Sequence, residues 1–415
     1  MSQPSPAEHH RSPTPEDRSV WAVFLVFLHL GLTSFGGPVA HLGYFRSEFV
    51  ERRRWLSEAA YADLVALCQF LPGPASSQLG LALGLGRAGY AGAFAAWAGF
   101  TLPSAVALIA LALGIAQAGA AMHGGAGAGL LHGLKVVAVA VVAQAVWGMA
   151  RSLCPDASRR ALMLATAALL IAWPGTVAQL LAIALAGVLG LLLMRPATNA
   201  PHEPMAVPVS RRAGAAWLAL FFALLLVLPL LAAAMPSQAL AVVDAFYRAG
   251  ALVFGGGHVV LPLLQSSTVP TGWVSAEAFL AGYGAAQAVP GPLFTFAAFL
   301  GASMQGAPTG WAGGALALAA IFAPAFLLIV GALPFWESLR AQPRVRAALM
   351  GINAAVVGLL LAALWTPVIT SGLRGVGDGV LAGLALVALM RWKWPPWVVV
   401  AGCAGVGWVM GVVSN

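Results

Sequence analysis

One pattern of helix-breaking residues occurs twice in this chain, about 218 residues apart, and any fold must accommodate both copies. Phe35-Gly36-Gly37-Pro38 is followed by Trp55-Leu56-Ser57 and then by Gln69-Phe70-Leu71-Pro72-Gly73-Pro74. The second copy reads Phe254-Gly255-Gly256-Gly257, Trp273-Val274-Ser275 and Gln287-Ala288-Val289-Pro290-Gly291-Pro292. From Trp to Gln is 14 residues in both copies. The register persists downstream: Tyr90 to Pro103 and Trp311 to Pro324 are each 13, and Gly133 to Trp147 and Gly351 to Trp365 are each 14. Landmarks that keep register over this length mark an internal duplication.

The sequence between the breaks is apolar. Hydrophobic residues make up 60% of the chain and charged residues 8%, against roughly 25% in a soluble domain. Long apolar runs separated by short basic interruptions are the signature of a polytopic helical membrane protein. The net charge of +8 then reads as orientation in the bilayer, because the arginines cluster in short connections, and nucleic acid is not called for. Cys68, Cys154 and Cys403 lie far apart in apolar context, with neither metal spacing nor a disulfide framework. Residues 1–19 are polar and Pro-rich and read as a disordered cytoplasmic tail. Val20 to Phe35 follows without a small-residue cleavage site, so it is expected to be a retained helix and not a signal peptide.

The expected organisation is an N-terminal transmembrane repeat over 20–194, a cytoplasmic linker over 195–212 and a C-terminal transmembrane repeat over 213–415. Apolar runs predict helices near 90–117, 131–150, 160–173, 176–194 and 213–235, and in the second half near 310–335, 347–366, 376–391 and 395–413. Equivalent loops carry opposite charge. Arg46, Arg52, Arg53 and Arg54 lie between FGG and Trp in the first half, whereas 263–272 has no charged residue. One loop later, 117–132 has no Lys or Arg, and 337–346 carries Arg340, Arg344 and Arg346. Under the positive-inside rule these loops face opposite sides of the membrane, so the repeats are expected to be inverted. Five helices between Gly89 and the second motif region supply the odd number of crossings that inversion needs. Transporters built from inverted repeats place their site near the midplane between them.

The breaks point to the chemistry. Gly costs a helix interior about 1 kcal/mol and Pro about 3, so FGG and Pro-Gly-Pro end helices inside apolar sequence, as broken or re-entrant segments. Such breaks are tolerated only where they are buried in protein or line a wet cavity. Each is followed by a new helix start, whose free N–H groups and positive dipole end favour an anion. The candidate substrate-binding residues are therefore Phe35, Gly36, Gly37, Pro38, Gln69, Pro72, Gly73 and Pro74 with Phe254, Gly255, Gly256, Gln287, Pro290, Gly291 and Pro292. Ser76, Ser77, Gln78 and Thr295 follow the triplets and are among the few polar side chains at hand. Lys135 opens the apolar run to Trp147, with Asn353 at the equivalent place, and an intramembrane cation is a functional candidate by default; the alternative is a lysine snorkelling at a helix end. His41 and His258 stand beside the FGG breaks and titrate near neutrality, which makes them candidates for proton coupling. Each is otherwise a satisfied structural residue.

The paired F-G-G and Q-x-x-P-G-P motifs, with Trp-x-Ser between them, resemble the chromate transporter family in its long, two-repeat form, from about residue 20 to 413. The resemblance implies export of chromate from the cytoplasm across the bacterial inner membrane, chromate resistance, and sulfate as the similar oxyanion. It also implies an all-α fold of two inverted halves. One departure is Gly257, which stands where the first half has Pro38. The expected partners are the oxyanion and the lipid bilayer, no cofactor is expected, and a homodimer is left open. Two other classes compete. An anion channel would use the same breaks as a filter. An enzyme would need a Cys or His cluster, a Ser–His–Asp set or paired acids, none of which the sequence offers. There is no G-x-x-x-x-G-K-[ST] motif for ATP, and the chain has two lysines.

Overall fold

The computed structural model describes residues 19–35, 37–118, 125–195, 209–254, 257–340 and 342–413. The tail 1–18, most of the linker (196–208) and the motif residues Gly36, Gly255 and Gly256 lie outside the described residues. Helices dominate, and six of them are long and apolar enough to cross a membrane.

In the first repeat the helices are α1 (Val20–Thr33), α2 (Gly37–Arg46), α3 (Glu58–Phe70), α4 (Ala75–Ala118), α5 (Gly125–Leu153), α6 (Ala157–Ala172) and α7 (Thr176–Leu193). A single helix, α8 (Arg211–Ala234), leads to the second repeat. There follow α9 (Gln238–Leu252), α10 (Val260–Thr268), α11 (Ala276–Ala286), α12 (Phe296–Ser303), α13 (Gly310–Ala332), α14 (Pro343–Ala363), α15 (Val376–Met390) and α16 (Pro396–Val413). Helix α4 is broken at Ala88 and Gly89, where the backbone leaves helical geometry. Its two halves correspond to α12 and α13. The remaining pairs are α1 with α9, α2 with α10, α3 with α11, and α5, α6 and α7 with α14, α15 and α16.

The duplicated Trp-x-Ser acts as a helix-start signal. Ser57 Oγ accepts the backbone N–H of Ala60 at 3.2 Å, and Ser275 Oγ accepts that of Ala278 at 3.1 Å. Glu58 and Glu277 add negative charge at the positive end of the dipole. Ser19 and Ser237 cap α1 and α9 in the same way.

The four breaks are tips of re-entrant hairpins. Phe27 on α1 packs its ring on Phe45 and Phe49, at 5.6 and 5.1 Å, so the chain after FGG returns along α1. The Arg87 guanidinium lies 4.6 Å over the Trp55 ring, which brings the end of α4's first half back to the start of α3. In the second repeat Ala245, Arg248 and Leu252 of α9 share a crevice with Leu263 and Ser267 of α10. Phe279 on α11 stacks edge-on against Phe296 on α12 at 5.1 Å, and the hairpin closes where Gln305 N–H donates to the Trp273 carbonyl at 2.8 Å. Each repeat is thus two re-entrant hairpins followed by four helices, of which α6, α7 and α15 are not among the six long and apolar enough to cross by themselves. The crossings between the two hairpin pairs are α4's second half, α5, α6, α7 and α8.

Five crossings place the second pair of hairpins on the opposite face. The start of α13 confirms it, since Gly310 lies against Leu113 near the far end of α4. Small residues set the distance between spans. A Cβ on Gly133 would sit 2.2 Å from the Cys403 carbonyl, and one on the equivalent Gly351 would sit 2.0 Å from that of Ala186. This pairs α5 with α16 and α14 with α7 at backbone contact, as small residues do in lipid. Leu192 and Leu230 are 74% and 69% exposed, which suits lipid and not water. The exposed landmarks Tyr90, Trp311, Trp147 and Trp365 fall at span ends, as an interfacial aromatic belt requires.

Candidate functional site

The tips meet in the middle of the molecule, and each touches the other repeat. Gly73 N–H, in the first Pro-Gly-Pro, donates to the Val253 carbonyl at 2.6 Å, immediately before Phe254. Gly291 N–H, in the second, donates to the Ser34 carbonyl at 2.9 Å, immediately before Phe35. These two bonds are the same bond in the two directions of a pseudo-two-fold axis, the internal counterpart of an isologous contact. Glycine is required at both places. Gly73 has φ +122° and Gly291 φ +94°, and a Cβ on Gly291 would lie 3.0 Å from Ser104 Oγ and 3.1 Å from the Phe100 carbonyl.

Beside the second triplet lies a cavity of about 50 Å³. That is several times the roughly 10–15 Å³ one water needs. Gly37 opens it from the first FGG tip, His258 from the second, and Gln287, Val289 and Gly291 from the second Pro-Gly-Pro tip. Val141 and Gln144 of α5, Ala286, Leu293 and Pro396 close it. Among the described residues that line it there is no Asp, Glu, Lys or Arg; the polar groups are Gln144, Gln287, His258 and backbone. Among the described residues Gln287 Nε2 is a buried donor with no partner. Phe35 stands nearby, its ring 6.1 Å from Trp397 at the start of α16.

The other candidates fall in different places. Gln69 is exposed on α3, while its equivalent Gln287 lines the cavity. Pro72 accepts the Gln78 side-chain N–H at 2.8 Å through its carbonyl, and Gln78 is fully buried behind the first tip, its Oε1 without a partner among the described residues. Ser76 is buried and meets His41 Nδ1 at 3.4 Å, while His41 Nε2 donates to the Ser34 carbonyl at 3.2 Å. That carbonyl therefore accepts from both His41 and Gly291. Pro74 is buried and directly precedes α4, and Pro38 falls in the first turn of α2. On the second side Pro290 is half-buried, and Thr295 Oγ1 is used up on the Pro292 carbonyl at 2.8 Å. Phe254 is half-buried against the core.

Lys135 and Asn353 stand apart from the cavity lining. Lys135 is 5% exposed on α5, packed between Gly284 of α11, which abuts Leu134, and Gly372, which abuts its own carbonyl. Among the described residues no hydrogen bond or ion pair to Lys135 is formed; the charges acting on it are Arg374, Glu277 and Asp378. One turn earlier, His132 Nε2 lies 2.9 Å from Asp378 Oδ1. Asn353 Oδ1 is buried on α14 and has no partner among the described residues. Sequence reasoning passed over Gln144 and Tyr283. Gln144 had a legible signal, being the one amide within the apolar run that Lys135 opens. Tyr283 had none, because its role depends on which side chain its hydroxyl meets.

Known proteins align along this architecture. The family model for chromate transporters matches residues 21–191 and 240–408, which are the two repeats without α8. The chain is 29% identical over 405 residues to a probable chromate transport protein of Synechococcus elongatus, covering 92% of this chain and 93% of that one. It is 30% identical over 352 residues to a chromate transport protein of Pseudomonas aeruginosa, covering 83% and 80%. A chromate transport protein of Cupriavidus metallidurans is 27% identical over 428 residues, covering 99% and 98%. No solved structure matches. This duplicated, multi-pass membrane protein belongs to the chromate transporter family.

Proposed function

We propose that this chain carries chromate out of the cytoplasm across the inner membrane and so confers chromate resistance. The cavity at the hairpin tips would hold the anion and be exposed to each face in turn. The observation that carries the reading is the reciprocal pair of tip contacts beside a charge-free cavity lined by donors. A tetrahedral dianion is recognised there by amides, an imidazole and helix starts, whose dipoles act strongly in a dry site. Sulfate shares that geometry and would compete. The tips belong to hairpins from opposite faces, so moving one repeat against the other trades access on one side for access on the other. An outward-moving dianion descends a negative-inside potential worth about 2.3 kcal/mol per charge per 100 mV, which is drive enough for efflux.

Radiolabelled chromate accumulation in everted membrane vesicles tests this reading. Saturable uptake under an inside-positive potential, reduced by excess sulfate, is expected. Absence of uptake under either an imposed potential or a proton gradient removes chromate as the substrate. Flux that rises linearly without saturation indicates a channel in place of a carrier.

A further inference from the structure

His258 has one ring nitrogen in the cavity and the other in the protein. Its Nδ1 lies 2.7 Å from the Tyr283 hydroxyl, and its Nε2 faces the cavity, where a Cβ built on Gly37 would stand 3.9 Å from it. Tyr283 is fully buried on α11, with its ring against Phe296 at 5.7 Å. Among the described residues the hydroxyl meets no partner except His258. A buried hydroxyl must place its hydrogen on an acceptor or lose the whole of its desolvation. Nδ1 is that acceptor only when it carries no proton. If Nδ1 bore a proton, in the other tautomer or in the imidazolium, it would donate to Tyr283 and leave the phenol hydrogen with no acceptor among the described residues. Nδ1 is therefore bare and the proton is on Nε2. The ring is a neutral donor aimed at the cavity, beside the unpaired Nε2 donor of Gln287.

We propose that Tyr283 is a positioning residue that locks His258 as a neutral Nε2–H donor for the oxyanion, so that His258 binds substrate and does not carry the coupling proton. This rests on the oxyanion-transport reading above. The two histidines beside the FGG tips then divide their roles. His41 also bears its proton on Nε2, but spends it on the Ser34 carbonyl and braces the first tip.

Chromate uptake into everted vesicles, measured as KM and Vmax from pH 6 to 8, separates the alternatives. His258→Ala and His258→Asn remove the donor at the Nε2 position and should raise KM on the order of 10- to 100-fold, the worth of a hydrogen bond to a charged group. His258→Gln places an amide N–H where Nε2 was and should restore most of that affinity. Tyr283→Phe frees Nδ1, and should raise KM about tenfold with Vmax kept. In the His258→Gln background Tyr283→Phe should add nothing. The proposal is overturned if His258→Gln is as impaired as His258→Ala, or if Tyr283→Phe leaves KM unchanged. Nitrogen-15 NMR of the purified, histidine-labelled protein gives an answer that needs no flux. The resonance missing in His258→Gln must be neutral with its proton on Nε2, and an Nδ1–H or doubly protonated ring refutes the lock. Vesicles that move no chromate while the NMR shows Nε2–H would sink the transport reading and leave the tautomer standing.

Discussion

Gln69 and Gln287 occupy one place in two copies of one motif, yet the first is exposed and the second lines the cavity. Gln69 lies within the last turn of α3, whereas α11 ends one residue before Gln287, and the packing around the two differs as well. Gln144 of α5 and Pro396 at the start of α16 close over Gln287. Motif spacing makes the pair visible but cannot tell which member works, because exposure is decided by helices more than 100 residues away. Gln287→Ala should therefore raise KM for chromate about tenfold, while Gln69→Ala should stay within about twofold, in the same vesicle assay. Equal loss in both would mean that the two sides of the pseudo-two-fold exchange roles during the cycle. Backbone requirements were more legible than side-chain roles. Gly73 and Gly291 are both needed for positive φ and for a cross-repeat hydrogen bond, and both stand out in the sequence as the centre of a Pro-Gly-Pro triplet.

At the level of elements, helix ends could be read and helix directions could not. Ser57 and Ser275 announce the starts of α3 and α11, and Phe-Gly-Gly and Pro-Gly-Pro announce the ends of α1, α3, α9 and α11. A break states where a helix stops. Whether the chain then continues through the bilayer or turns back depends on side-chain contacts such as Phe27 with Phe45, and of Arg87 with Trp55. Close packing holds these elements in place. A Cβ on Gly99 of α4 would come within 2.6 Å of the Phe24 carbonyl and 2.7 Å of the Leu28 nitrogen on α1. Gly99→Ala should cost about 1–3 kcal/mol, seen as a lower midpoint of thermal unfolding in detergent. Gly402→Ala, on the exposed face of α16 with nothing within 4 Å, should be neutral or stabilising by up to about 1 kcal/mol. An unchanged midpoint in Gly99→Ala would show that α1 and α4 are not held at backbone distance.

For the whole molecule, inversion is what allows four tips to meet. Two hairpins enter from one face and two from the other, and five crossings separate them. The charge pattern of the sequence predicts the same arrangement. Arg46, Arg52, Arg53 and Arg54 flank the first pair of hairpins, whereas the matching segment 263–272 carries no charged residue. The reciprocal tip bonds were not legible, since they join residues 180 and 257 positions apart and involve only backbone atoms. Two-sided cysteine labelling tests the arrangement most directly. Cys68, Cys154 and Cys403 are buried, so single additions can be read against a quiet background. Ala59→Cys and Thr271→Cys lie at exposed, equivalent ends of the two hairpin pairs. With a membrane-impermeant maleimide, Ala59→Cys should react only in everted vesicles and Thr271→Cys only in intact, right-side-out preparations. Reaction of both from the same side would contradict the inverted architecture, and with it a site built from tips that arrive from opposite faces.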